Sequence, residues 1–72
     1  MYRVWWIPQI PMKGFFVDVD SIEQGNWLCG VLAEYDMFQF ENNVKPDYSN
    51  AGGVQQLEDD GEWWDVEDER EW

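Results

Sequence analysis

The hydrophobic pattern at the start of the chain predicts two β-strands. From Tyr2 to Ile7 the sequence is β-branched and aromatic, and its alternation places apolar side chains on both faces, as expected for a central strand. Pro8 and Pro11 cannot donate backbone hydrogen bonds, so a wide connection should follow, ending at Gly14. Phe15 to Val19 predicts a second strand that is buried on one side and partly polar on the other.

The next segment combines helix-start signals with helical periodicity. Glu23 lies three residues after Asp20, and Gln24 lies three residues after Ser21, which gives two overlapping capping-box patterns. Two glycines within the segment each cost up to ~1 kcal/mol of helix propensity, so the helix should hold only when it packs on the sheet. The apolar stripe that supports the helix comprises Ile22, Leu28, Cys29, Val31, Leu32 and Tyr35.

Beyond Tyr35 the pattern predicts three further strands. Phe38 to Glu41 alternates between apolar and polar residues, which indicates a short third strand. The Asn-, Gly- and Pro-rich residues from Glu41 to Gly53 are typical of an ordered surface loop. Val54 to Glu58 and Glu62 to Val66 then flank an Asp-Gly pair, a strong hairpin signal.

These elements predict an α+β fold. A small, mostly antiparallel sheet should carry one helix on one face, in the order ββαβ followed by a C-terminal hairpin. We expect residues 1–66 to form a single small domain and residues 67–72 to form a frayed acidic end. With 72 residues, the chain has room for one small core, to which its 18% aromatic residues would contribute. The lone Cys29 should be a buried hydrophobic residue.

The composition argues against catalysis and against a metal site. With no histidine and only Ser21, Ser49 and Cys29 as nucleophiles, no nucleophile can pair with an imidazole base. Carboxylate pairs such as Asp59 with Asp60 could act as acid and base in glycoside cleavage, but the chain is too short to form a deep sugar-binding cleft around them. The acidic residues near the C-terminus are the oxygen ligands that calcium prefers, but their spacing does not match an EF-hand loop. We therefore expect no enzyme, no metal and no cofactor.

The polar loop allows two interpretations. Its side chains could form a ligand pocket, with Gly52 and Gly53 allowing close backbone approach, or they could simply cap and close a loop. The second interpretation is the more common outcome for such a composition. The polar residues are Asn42, Asn43, Asp47, Tyr48, Ser49 and Asn50.

Charge is concentrated at the C-terminal end. Residues 57–72 hold nine carboxylates and one arginine, a charge of −8 out of −12 for the whole chain. Most such runs are solvated surfaces, but the tryptophans among these acids resemble binding anchors. Alternate strand residues lie about 6.6 Å apart, an interval comparable to that between phosphates along one DNA strand. The predicted partner-binding residues are Asp59, Asp60, Glu62, Trp63, Trp64, Asp65, Glu67, Asp68, Glu69 and Glu71.

Two segments resemble a known protein family. WWIPQIPMKGFF, from Trp5 to Phe16, and YDMFQFENNVKPDYSNAGG, from Tyr35 to Gly53, are similar to a family of short tailed-bacteriophage proteins, some of them labelled superinfection exclusion. The resemblance covers roughly the first three quarters of the chain, and it implies a phage or prophage origin.

Three functional hypotheses follow. The first is a phage-encoded acidic inhibitor of anti-CRISPR or anti-restriction type that imitates nucleic acid and fills a basic groove on a host defence or DNA-processing protein. The second is a sponge for a nucleotide signal, with Trp5, Trp6 or Trp27 stacking and cations from Arg3, Lys13 and Lys45. The third is a homo-oligomeric adaptor that buries the aromatic surplus. We expect the protein to be located in the host cytoplasm, without direct binding to nucleic acid and without membrane association.

Overall fold

A single antiparallel sheet organises the computed structural model, which describes residues 1–66. One helix, α1, lies between the second and third strands and packs on one face of the sheet. The sheet order is β2-β1-β3-β4, so β1 is central, as predicted. The bounds are β1 Tyr2–Ile7, β2 Phe15–Val19, α1 Ile22–Glu41, β3 Ala51–Leu57 and β4 Trp63–Asp65.

The α+β fold is confirmed, and the first two strands have the predicted bounds. The helix also begins where the capping signals place it. Of the two candidate caps, Ser21 is the N-cap: its Oγ accepts from Gln24 N at 3.0 Å. Gln24 Oε1 in turn accepts from Asp20 N. The polar side chains therefore satisfy backbone donors at the helix start.

The predicted third strand at Phe38 to Glu41 is wrong, because α1 continues to Glu41. A four-residue alternation is too short to distinguish a strand from the end of a helix. Capping decides the outcome: the backbone N of Asn42 donates to Phe38 O at 3.1 Å, and its Nδ2 donates to the same oxygen at 2.8 Å. Asn43 then adopts a left-handed φ of 62° and ends the helix. The described order is thus ββα followed by the β3–β4 hairpin.

The predicted helix stripe is only partly correct. Small residues face the sheet, and a Cβ at Gly25 would lie 2.7 Å from Val54 Cγ2, so the helix approaches the sheet closely there. Cys29 is fully buried, as predicted. Val31 and Tyr35, however, lie on the solvent side of α1, with 40% and 56% of their surface exposed. The buried positions of α1 are Gly25, Cys29, Ala33 and Asp36.

Strand β3 begins at Ala51, within the predicted loop. Gly52 pairs with Trp6 on β1, and a Cβ at Gly52 would lie 2.0 Å from Cε3 of that indole ring. Because Gly52 has no side chain, the ring of Trp6 fits against the backbone of β3, and Trp6 is only 2% exposed. The buried apolar core consists of Val4, Trp6, Val19, Cys29, Ala33 and Val54.

The predicted C-terminal hairpin is present, although β4 is shorter than the predicted Glu62 to Val66. The predicted frayed end, residues 67–72, lies outside the described residues, and the single-domain organisation of residues 1–66 stays a prediction.

Candidate functional site

The acidic residues of the hairpin gather at its turn. Glu58, Asp59, Asp60 and Glu62 are exposed and lie between the two strands, and only Asp65 belongs to β4. The alternating strand spacing expected for phosphate mimicry is therefore absent from the described acids: four of the five lie in the turn and one lies in β4. We call these five residues the acidic turn. The other predicted site residues, Glu67, Asp68, Glu69 and Glu71, lie outside the described part of the chain.

Hydrogen bonds order the acidic turn. Glu58 N donates to Glu62 O at 2.9 Å, and Gly61 N donates back to Glu58 O at 3.0 Å. The carboxylate of Asp60 accepts from Glu62 N at 2.9 Å, the short-range bond typical of Asp in turns. Gly61 has a φ of 82°, which glycine adopts without strain. The backbone thus holds the carboxylates in a defined arrangement.

Neutralisation of this charge inside the protein is slight. Within residues 1–66 the only ion pair joins Lys45 to Asp36, and neither residue belongs to the hairpin. Asp65 Oδ1 accepts from the neutral Gln55 Nε2 at 3.2 Å. The acidic turn therefore presents a negative field to solvent, which attracts positive charge and repels negative charge.

The two hairpin tryptophans point to opposite faces of the sheet. Trp64 pairs with Gln56 on the face that carries α1, yet 57% of its surface is exposed. Trp63 lies on the other face and is partly buried. We call this the open face because no helix of residues 1–66 packs on it. Only Trp64 is thus a freely exposed ring beside the acidic turn. The open face carries Arg3, Trp5, Ile7, Phe16, Asp18, Gln55, Trp63 and Asp65.

An arginine clamp fixes Trp63 to the open face. The guanidinium carbon of Arg3 lies 4.1 Å from the ring centroids of both Phe16 and Trp63, so the cation lies between two aromatic rings. Its Nε also donates to Gln55 Oε1 at 2.8 Å. The clamp therefore connects residues of all four strands. Arg3 is therefore already engaged within the protein.

A groove of about 300 Å³ lies beside this clamp. Its apolar walls come from Trp5, Ile7 and Phe16, with Gly14 at one end, while Gln55 and Asp65 supply polar groups. The groove can accept a flat or apolar group on its aromatic walls. A phosphate near Asp65 would meet a carboxylate, which is unfavourable unless Arg3 is released to compensate.

The structure separates most of the residues of the nucleotide hypothesis. Trp5 lines the groove near Arg3, but Trp6 is buried in the core and Trp27 lies on the outer side of α1 with 66% exposure. Among the other two cations, Lys13 is exposed in the β1–β2 connection and Lys45 is paired with Asp36. Trp5 and Arg3 are therefore the members that share one face.

Asp36 was not predicted from the sequence, although it is the one buried charged residue of the described chain. Its Oδ2 accepts from Trp6 Nε1 and from Asn50 Nδ2, each at 2.9 Å, and lies 3.6 Å from Lys45 Nζ. Lys45 Nζ also donates to Pro8 O. The only sequence signal was an acid at a helical interval after Ala33, on the side of α1 that carries Gly25 and Cys29. This network connects the helix, the sheet and the loop.

The polar residues after α1 close a loop rather than line a pocket. Asp47 accepts a hydrogen bond from Gln9 Nε2, and Ser49 O accepts from Ile10 N at 2.7 Å. Tyr48 Oη donates to Ala33 O at 3.2 Å, and Asn50 binds Asp36. These bonds hold the loop against α1 and the β1–β2 connection, which agrees with the capping interpretation. Gly52 accommodates Trp6, not a ligand.

Residues 1–66 contain neither a cluster of metal ligands nor a helix suited to cross a membrane. No group of three or more Asp, Glu, Cys or His side chains is placed to hold a metal ion. The helix in this part of the chain is not apolar enough over a sufficient length to cross a membrane.

Fold and charge together define an acidic α+β protein with an ordered, carboxylate-rich hairpin. The chain belongs to the family of superinfection exclusion gene product 17, whose model matches residues 1–72. It is similar to the superinfection exclusion protein of Salmonella phage P22, with 52% identity over 66 residues. The match covers 92% of this chain but 64% of the relative, so the chain spans less than two thirds of that protein's length. No solved structure matches the chain. The predicted resemblance to phage proteins labelled superinfection exclusion is confirmed.

Proposed function

We propose that this phage protein acts by binding the basic groove of a host defence or DNA-processing protein through its acidic turn, which excludes nucleic acid from that groove. The family supports a role in superinfection exclusion or against the host, but it names no target. The observation that carries the proposal is the acidic turn: five exposed carboxylates on a hydrogen-bonded hairpin, with no ion pair to a base within residues 1–66.

The arrangement favours this function for two physical reasons. Clustered carboxylates raise the local negative potential, which steers a basic surface towards the hairpin and weakens as salt increases. Because the turn is already ordered, little conformational entropy is lost when it binds. Trp64, which is exposed on the same hairpin, supplies the kind of aromatic anchor that often contributes most to affinity.

The test is capture of the partner from host cells with matched variants. One variant carries Asp59→Asn, Asp60→Asn and Glu62→Gln, and its control removes the same charge at three exposed acids outside both the hairpin and α1, with Asp18→Asn, Asp20→Asn and Asp47→Asn. We expect the wild type and the control to retain a basic nucleic-acid-binding protein at low salt, and the hairpin variant to lose it.

The captured protein then decides whether nucleic acid is displaced. With the purified partner, duplex DNA and this protein should compete for one site, and their competition should weaken at high salt. Simultaneous binding of both would refute groove occupation. Equal capture by the hairpin variant would refute the role of the acidic turn.

A second candidate function is sequestration of a nucleotide signal in the groove of the open face. The observation that favours it is the aromatic wall of Trp5 and Phe16 beside the guanidinium of Arg3. Calorimetry against cyclic nucleotides separates the two candidates. A protein that sequesters nucleotides gives a heat of binding that Trp5→Ala abolishes, whereas an inhibitor that acts through the acidic turn gives no heat with cyclic nucleotides. The nearby Asp65 makes this the weaker candidate.

A further inference from the structure

The outer side of α1 carries a row of large apolar residues that the fold does not use. Trp27, Val31, Tyr35 and Phe38 follow one another at helical intervals of four, four and three residues. Their exposed fractions are 66%, 40%, 56% and 59%. We call this row the outer stripe. At about 1.5 Å per residue it extends for about 16 Å along the helix, or three turns.

The outer stripe is independent of the packing that holds α1 on the sheet. The helix contacts the sheet through Gly25, Cys29, Ala33 and Asp36, on the opposite side. Single exposed apolar residues are ordinary on protein surfaces, but a continuous row of three rings and a valine is typical of an interaction site. Removing these rings should therefore alter binding more than folding.

Charge beside the outer stripe limits what can cover it. Glu23, Glu34 and Glu41 are exposed and stand at intervals of eleven and seven residues, which places them in one line next to Trp27 and Phe38. The helix contains no Lys or Arg. A second copy packed on this stripe would bring two acidic rows together, and an anionic membrane would repel them. A surface with basic residues beside its apolar row would complement both features.

We infer that the outer stripe of α1 docks against a basic amphipathic helix of another protein. Trp27, Tyr35 and Phe38 fill its apolar face, and the line of Glu23, Glu34 and Glu41 meets the Lys or Arg residues that flank that face. The stripe extends for about three turns, which gives a second helix room to pack along it with interlocking side chains. This surface is distinct from the acidic turn. Under the proposed function, it gives the protein a second contact with its partner.

The experiment uses three synthetic helical peptides with equal numbers of leucines. The first has a leucine stripe flanked by lysines, the second has the same stripe flanked by glutamates, and the third has the first peptide's composition with its stripe scrambled. Fluorescence anisotropy gives their affinity for the full chain. The first peptide should bind at least about tenfold more tightly than either of the others, because it alone matches both apolar and charged rows.

Variants locate the binding surface. Trp27→Ser with Phe38→Ser should weaken the first peptide roughly tenfold or more, and a matched hairpin variant, Asp59→Asn with Asp60→Asn, should leave it nearly unchanged. Circular dichroism and the urea midpoint should show that the stripe variant is folded, since both rings are more than half exposed. If those measurements show unfolding, the milder Glu23→Gln, Glu34→Gln and Glu41→Gln variant gives the test, with the same expected loss.

Four results would overturn the inference. Equal binding of the scrambled or the glutamate-flanked peptide would show that binding does not depend on matching both the apolar stripe and the line of carboxylates. Loss of binding in the hairpin variant alone would move the site to the acidic turn. A wild-type dimer that the stripe variant converts to a monomer in sedimentation would identify a second copy as the occupant. Stripe-dependent binding to phosphatidylglycerol vesicles would identify a membrane surface.

Discussion

Replacing Asp36 by Ala should remove the group that connects the helix, the sheet and the loop after α1. The carboxylate is 4% exposed, and its Oδ2 accepts from Trp6 Nε1 and Asn50 Nδ2 at 2.9 Å each. Lys45 Nζ, whose side chain is 7% exposed, lies 3.6 Å from the same oxygen. Alanine leaves these donors in the interior without their shared acceptor, although Lys45 keeps its bond to Pro8 O.

The expected loss is a large share of the total stability. Removing one member of a buried ion pair typically costs about 3–5 kcal/mol, and an unsatisfied buried donor such as Trp6 Nε1 costs about 1–3 kcal/mol. These costs overlap because one carboxylate serves all the donors, so we expect about 3–5 kcal/mol for Asp36→Ala. Chains of this length are stable by about 4–11 kcal/mol. Asp36→Asn retains an acceptor and should lose less, about 1–3 kcal/mol.

Urea unfolding followed by far-UV circular dichroism measures the loss, with Asp59→Asn as the control because Asp59 is exposed and should change stability by less than about 0.5 kcal/mol. A double-mutant cycle with Lys45→Met isolates the coupling between the cation and the carboxylate. If Asp36→Ala changed the free energy of unfolding by less than about 1 kcal/mol, the network would not hold the three elements together, and the reasoning would be refuted.

Three further substitutions test the backbone and its caps. Gly52→Ala would place a Cβ 2.0 Å from the ring of Trp6, so we expect loss of more than about 3 kcal/mol or an unfolded chain, visible as loss of near-UV circular dichroism. Ser21→Ala removes the acceptor for Gln24 N and should cost about 1 kcal/mol in urea unfolding; an unchanged midpoint would contradict its capping role. Gly61→Ala meets no neighbour within 4 Å but has a φ of 82°, so it should cost about 1–2 kcal/mol, and a gain in stability would contradict the described turn.

The elements that the sequence predicted correctly are those with strong local signals. Alternating aromatic and β-branched residues define β1 and β2, the Ser21 cap defines the start of α1, and the Asp-Gly pair defines the hairpin turn. Each signal acts over a few neighbouring residues. The end of α1 was not predictable in this way, because a short alternating run competed with a helix that its C-cap extends to Glu41.

The candidate site was predictable in composition but not in geometry. The sequence showed where the acids lie along the chain, yet only the pairing of β3 with β4 shows that most of them occupy a turn and that Trp63 and Trp64 point apart. The clamp of Arg3 and the role of Asp36 depend on residues separated by 9 to 60 positions in the chain. Contacts of that kind follow from how the strands pair and how the helix and the loop pack on the sheet, and a short window of sequence specifies none of these.

The helix shows why apolar periodicity alone does not orient an element. Both sides of α1 carry apolar residues at helical spacing, so the pattern cannot say which side is buried. The sheet decides: Trp6 and Val54 already fill the space beneath α1, so the small residues Gly25, Cys29 and Ala33 lie against them, while Leu28 and Leu32 pack partly buried against the same core. The bulky rings of Trp27, Tyr35 and Phe38 are therefore placed on the outer side by volume, not by polarity. An aromatic surface left exposed for that reason, beside a line of carboxylates, is suited to a partner that brings its own apolar and basic groups.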